Sequence, residues 1–139
     1  MMSGKRILML VVGIALIGAS IAIALWNKPH ENMSSAKADV TIEASALFQA
    51  YNADEKGADK QYLGKTLAVT GVVKDVSKSE GAPVKISLET GDEFLVICEL
   101  DALSKHARQE FPVGEKVTLK GKCDGINLDV QLSRCVELK

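Results

Sequence analysis

The side chains best suited to chemistry are three cysteines, Cys98, Cys123 and Cys135, and the one histidine that lies among the patterned segments, His106. Together they raise the question of a zinc site, which needs about four convergent Cys, His or carboxylate ligands. Their spacing argues against one. No CxxC or HxxxH pair is present, and the other histidine, His30, lies in a polar stretch near the N-terminus. Scattered cysteines of this kind read as one disulfide plus one leftover thiol in an oxidising compartment. Acid–base chemistry has no better footing. Asp92 and Glu93 follow Gly91 and read as a turn, Asp54 and Glu55 read as a helix end, and His106 sits in "SKHARQE", a solvated helix face. The expectation is a protein that is not an enzyme and carries no metal and no cofactor.

The cysteines must be positioned by strands. "KTLAVTGVVKDVS" alternates with Leu67, Val69, Gly71 and Val73 on one side, and Gly71 invites a bend or bulge. "APVKISLET" follows with Val84, Ile86 and Leu88 in phase, and "GDEFLVICEL" places Phe94, Val96, Cys98 and Leu100 on one side, so Phe94 reads as core. "DALSKHARQEF" reads as a short helix, after which "KVTLKGKC" and "LDVQLSRCVEL" form a final strand pair whose tip is "GINL". Ahead of the strands, Ile42, Ala46, Leu47, Ala50 and Tyr51 recur with helical spacing from Val40 onward. Thr41 or Asp39 would cap that helix and Gly57 would end it, with a further short turn carrying Tyr62 and Leu63.

Ile7 to Trp26 is twenty residues without a charge, preceded by Lys5 and Arg6. At 1.5 Å per residue such a helix reaches about 30 Å, the thickness of a bilayer's hydrocarbon core. Positive charge ahead of it predicts a cytoplasmic N-terminus (1–6), a transmembrane anchor (7–26), a linker (27–39) and an exported domain (40–139). The competing reading is a cleaved signal peptide, for which Ala22 to Ala24 offers an A-x-A site. The apolar run exceeds the usual core of about 7–15 residues in a signal peptide, which favours the anchor. No cysteine follows it closely, so a lipid-modified N-terminus is not expected. The implied location is a bacterial inner membrane, single-pass, with the C-terminal domain in the periplasm.

Residues 31–139 hold all 18 Asp and Glu but only 14 of the 17 Lys and Arg, leaving that part net acidic. A nucleic-acid surface driven by counterion release would want the opposite balance. Its five Phe and Tyr residues, Phe48, Tyr51, Tyr62, Phe94 and Phe111, do not form a stacking series on the second and third strands. Lys74, Lys78 and Lys85 gather around the loop between strands one and two, and with Asn127 they define a candidate binding face. An unknown protein or a small ligand is the favoured partner there, and single-stranded nucleic acid is the alternative.

Five short strands with a helix between the third and fourth is the order of the OB-fold, a small Greek-key barrel. The fold class expected is therefore all-β with flanking helices. The stretches "ASALFQAYNADEKGADKQYLGKTLAVTGVV" and "VTLKGKCDGINLDVQLSRCVEL" resemble the tRNA-anticodon-binding-like OB-fold family of bacterial exported proteins. The resemblance implies architecture more firmly than RNA binding. The periplasmic haem chaperone of cytochrome c maturation is similar in plan, an anchor followed by an OB barrel. It holds haem on a C-terminal histidine, and here no histidine follows His106.

Barrel geometry separates the cysteine pairings. With "GINL" as the tip, Cys123 faces a residue near Val130, and Cys135 lies about 17 Å further along the ladder. Disulfide Cα atoms must approach within about 7 Å, so a regular hairpin argues against Cys123–Cys135. Strands three and five of an OB barrel run parallel and adjacent, so the expected pair is Cys98–Cys135, with Cys123 left as a buried thiol. Closing that loop is worth about 3–4 kcal/mol in the chain-entropy treatment.

Overall fold

The structure, a computed structural model, describes residues 3–27 and 32–139. It divides into an N-terminal unit and a C-terminal unit that begins at Asn32.

The N-terminal unit is one helix, α1 (Gly4–Trp26), with a mean hydropathy of 2.8, long and apolar enough to cross a membrane. Its 23 residues reach about 35 Å. Ser20 donates its hydroxyl to the Leu16 carbonyl (2.8 Å), so this polar group is satisfied within the helix, as a hydrocarbon surrounding requires.

In the C-terminal unit the elements run β1 (Val40–Glu43), α2 (Ala44–Ala53), α3 (Glu55–Tyr62), β2 (Thr66–Ser77), β3 (Lys85–Leu88), β4 (Val96–Leu100), β5 (Lys116–Asn127) and β6 (Asp129–Leu138). The sheet order is β1-β2-β3-β4-β6-β5, and β2 also pairs with β5. Five strands therefore close into an OB-type barrel, with β1 as a sixth strand along the edge of β2. Closure depends on the length of β2. Thr66–Val72 pairs with β5, and Val73–Ser77 turns to pair with β3 across a register shift at Lys74. β4 and β6 run parallel, as the fold predicts.

One cluster fills the barrel. Leu67, Val69 and Val73 of β2 meet Ile86, Leu88, Val96, Cys98, Leu119, Val130, Leu132 and Cys135, and Leu47, Phe48 and Tyr51 of α2 complete it. The period-2 apolar pattern of the strands supplies this inner face. Gly71 serves this packing rather than a bulge. A Cβ there would stand 3.0 Å from Ala44 Cβ and 3.1 Å from Leu88 Cβ, so its absence lets the start of α2 approach the sheet.

Four expectations are corrected. The helical pattern does not start at Val40: the β-branched run Val40-Thr41-Ile42 is extended, parallel to β2 from Leu67 to Thr70. Asp39 does not cap a helix. Its carboxylate accepts the Thr66 amide (2.9 Å), tying β1 to β2. Second, no helix lies between β4 and β5. Asp101 accepts hydrogen bonds from the Leu103 amide and the Ser104 hydroxyl, and His106 Nε2 donates to the Asp101 carbonyl (2.6 Å). Such local side-chain bonds compete with a helical ladder. Further along, Arg108 is clamped by Glu115 and Glu137, and Phe111 is buried beneath it.

Third, the last hairpin is longer than expected. β5 continues to Asn127, the turn is at Leu128 (φ 66), and Cys123 pairs with Leu132 rather than with a residue near Val130. Gly125 (φ 95) lies at a bulge within the strand instead of at the tip. Fourth, the end of the expected linker is packed on the barrel. Met33 is fully buried, and the buried Lys120 donates its ammonium to the carbonyls of Ser34 (3.3 Å) and Ala36 (2.6 Å). Lys120 sits in a cross-strand row with Ala68 and Val136, both buried although they point away from the barrel interior. The strap of residues 33–36 accounts for that burial, and a buried ammonium needs such acceptors.

Candidate binding face of the barrel

β3 and β4 alternate strictly, with Ile86, Leu88, Val96, Cys98 and Leu100 facing inward. Their outward positions are therefore Lys85, Ser87, Ile97 and Glu99. The register sets two rows across the face: Asp75, Ser87, Ile97 and Gln131 in one, and Ser77, Lys85 and Glu99 in the other. Lys85 Nζ lies 3.8 Å from the Glu99 carboxylate. An apolar Ile97 thus sits between the neutral Ser87 and Gln131, in a row that ends in Asp75, beside a compensated pair of charges. This face is where OB-folds take oligonucleotides and oligosaccharides.

Lys74, Lys78 and Lys85 are all exposed; Lys74 lies at the bulge beside Leu88, whereas Lys78 and Lys85 gather at the opposite end, around the β2–β3 connection. Lys78 Nζ stands 3.6 Å from Glu110 on the β4–β5 segment. Asn127 is not with them. It lies level with the residues before β4, whereas Lys85 pairs with Glu99. That separation is about 13 Å along the strands. At Asn127's end the hairpin docks on the β3–β4 loop, where the Asp129 carboxylate accepts the Leu95 amide (2.7 Å).

Two exposed apolar side chains mark that end. Leu128 is 72% exposed at the tip, and Phe94, expected in the core, is 36% exposed with its ring 6.0 Å from Phe48. Phe94 precedes the first paired residue of β4, so the strand's alternation does not reach it. At the opposite end a cleft of about 270 Å³ is lined by Pro83, Val84, Asp101, Ser104, His106 and Gln109. Within it the Asp101 carboxylate accepts from the Leu103 amide and the Ser104 hydroxyl, and His106 Nε2 donates to the Asp101 backbone carbonyl. Among the described residues, no three His, Cys, Asp or Glu side chains converge as a metal set.

The profile of the tRNA_anti-like family matches residues 1–137. The chain belongs to the tRNA_anti-like family. A similar solved structure is a lipoprotein of Klebsiella pneumoniae subsp. pneumoniae, provisionally described as nucleic acid-binding. It is 17% identical with a TM-score of 0.58, over 81% of this chain and 100% of that one. At that identity the likeness is one of fold. Comparison with curated proteins gives no match.

In this tRNA_anti-like barrel the cysteines are inside the core. All three are free thiols in this structure, so the expected Cys98–Cys135 bridge is not formed in it. Cys98 and Cys135 are nonetheless diagonal neighbours on β4 and β6. Burial is the largest cause raising the Cys135 thiol well above the usual range, and Cys98 adds to it. Cys123 lies elsewhere, its sulfur 3.4 Å from the Tyr51 hydroxyl. Burial also raises Cys123 and Tyr51. Thiols held in the neutral form are weak nucleophiles.

The residue that sequence reasoning missed on the face is Ile97. It lies in the unbroken apolar run "FLVIC", where outward and inward positions look alike. Arg108 was hidden in a charged stretch that reads as solvated, and only the fold brings Glu137 to it.

Proposed function

We propose that the chain is a non-catalytic binding module, held at a bacterial inner membrane by α1 and exported, whose ligand surface is the outward face of β3 and β4. The observation carrying this reading is the composition of that face: Ile97 between Ser87 and Gln131, beside the Lys85–Glu99 pair. An apolar centre flanked by neutral hydrogen-bonding groups, in a row that ends in Asp75, suits an extended polypeptide or a small uncharged ligand. A phosphodiester strand favours stacked rings and uncompensated positive charge. The length of α1 and its apolar character support membrane attachment, and the similar solved structure is described as a lipoprotein.

A second reading, binding of single-stranded nucleic acid, is favoured by the description of that neighbour and by the exposed Lys74 and Lys78 along the β2 side of the face. The first reading is tested by a photo-crosslinking amino acid at Ile97 in the full chain in cells, with the exposed Gln61 of α3 as the control position. A defined protein adduct from position 97 alone is the expected result. Equal labelling from both positions would remove the face from the account.

A further inference from the structure

We propose that Cys98 and Cys135 are an oxidation site and form the domain's disulfide when the chain matures in an oxidising compartment. This rests on the export reading above, and it draws on features of the fold which that reading does not use.

The geometry begins in the β4–β6 pairing. Cys98 pairs with Leu132 and Leu100 with Cys135, so β6 takes three steps where β4 takes two. The same residue is extra against β5, where Lys120 pairs with Val136 and Lys122 with Ser133. The inserted residue is Arg134, whose φ of 52 lies in the left-handed region that side chains other than glycine seldom adopt. Simple alternation from the buried Leu132 would send residue 134 inward and residue 135 outward. The bulge reverses this: Arg134 is half-buried and Cys135 is fully buried beside Cys98.

β5 makes room for the sulfur. A Cβ at Gly121 would overlap Cys135 Sγ and stand 2.9 Å from the Ser133 carbonyl, so only glycine accommodates Cys135 in this position. Cys135 then lies across the β4–β6 ladder as the diagonal neighbour of Cys98. Cys123 is kept apart, opposite Leu132 and bonded to Tyr51. A bulge, a left-handed arginine and a glycine thus converge on bringing two cysteines together, each from a different strand.

The reaction is a two-electron oxidation. Both S–H bonds break, one S–S bond forms, and two protons leave. The two electrons reduce the disulfide of a thiol–disulfide exchange oxidant to its dithiol. Exchange must reach the cysteines while the barrel is still closing, because both sulfurs are fully buried afterwards. The resulting cross-link would tie β4 to β6 and close off the segment between them that has no helix of its own.

The test is thiol mapping of the full chain. Protein isolated from its membranes is acid-quenched, denatured and alkylated before and after reduction. In parallel, protease added to spheroplasts reports whether the barrel is exported. With an exported barrel, the expected result is alkylation of Cys123 alone before reduction, a linked peptide joining Cys98 to Cys135, and three alkylated cysteines after reduction. An exported barrel with Cys98 and Cys135 alkylated before reduction, or with Cys123 in a bridge, overturns the proposal. A barrel protected from protease overturns the export reading instead. Refolding of the full chain in detergent with oxidised glutathione then decides the geometry: a Cys98–Cys135 bridge supports the pairing, and mixed or absent bridges overturn it.

Discussion

Replacing Gly71 by alanine probes how α2 is seated on the barrel. The new methyl would stand 3.0 Å from Ala44 Cβ and 3.1 Å from Leu88 Cβ. Carbon atoms in contact prefer about 3.5–4.0 Å, so both neighbours must yield by a few tenths of an ångström. Overpacking of this kind costs about 1–3 kcal/mol. Alanine returns about 0.5–1 kcal/mol, because glycine loses more backbone freedom on folding. The net expectation is a loss of about 1–2 kcal/mol, or about 5–10 °C in Tm for a domain of this size. Urea titration of the full chain in detergent, followed by far-UV circular dichroism, reads this directly. Adding Ala44→Gly to Gly71→Ala removes one of the two contacts and should recover part of the loss, although Ala44→Gly alone destabilises. A Gly71→Ala protein as stable as wild type, or more so, would refute the close seating of α2.

The strap over the outer face gives a second prediction. Lys120→Ala strips the Ser34 and Ala36 carbonyls of their partner, at about 1–3 kcal/mol, and should speed tryptic cleavage after the exposed Lys37; unchanged cleavage would mean the strap is held by other contacts. A third concerns acid. Hydrogen bonding to Arg108 holds the Glu115 carboxyl below its ordinary range, so the contribution of this contact is full above the unfolded value of about 4.3 and fades as pH falls through the lower folded value. Amide exchange in residues 102–110 should therefore rise below about pH 4, and Glu115→Gln should flatten that rise; identical profiles would contradict the clamp.

Much of the barrel was legible because β-strand alternation is a local signal. Leu67, Val69, Val73, Ile86, Leu88, Val96 and Cys98 stood in phase in the sequence and share one core. The parallel neighbourhood of Cys98 and Cys135 followed from strand order alone. Where the reading failed, the deciding contact was distant in sequence. Val40–Glu43 became a strand because β2 offered an edge. Residues 101–110 stayed irregular because Asp101 turns the chain and Arg108 finds Glu137 across the barrel. Met33 looked like linker until Lys120 and the outer row of the sheet gave it a place to pack.

The binding face was only half legible. Lys78 and Lys85 border the β2–β3 connection, whereas Lys74 lies at the other end of that ladder, and Asn127 lies further along the face because hairpin length depends on a bulge that no local motif announces. Ile97, the centre of the face, carries no sequence mark that distinguishes it from the core residues on either side.

The measurement that tests the account most directly is a titration of fluorescent single-stranded DNA and RNA oligonucleotides with the full chain in detergent, read by anisotropy at about 50 and 200 mM salt. With Lys85 compensated by Glu99 and Ile97 at the centre of the face, no saturable binding is expected at either salt. Saturable binding that weakens steeply with salt, and that is lost on substituting Lys74 and Lys78, would contradict the account and make the barrel a nucleic-acid module.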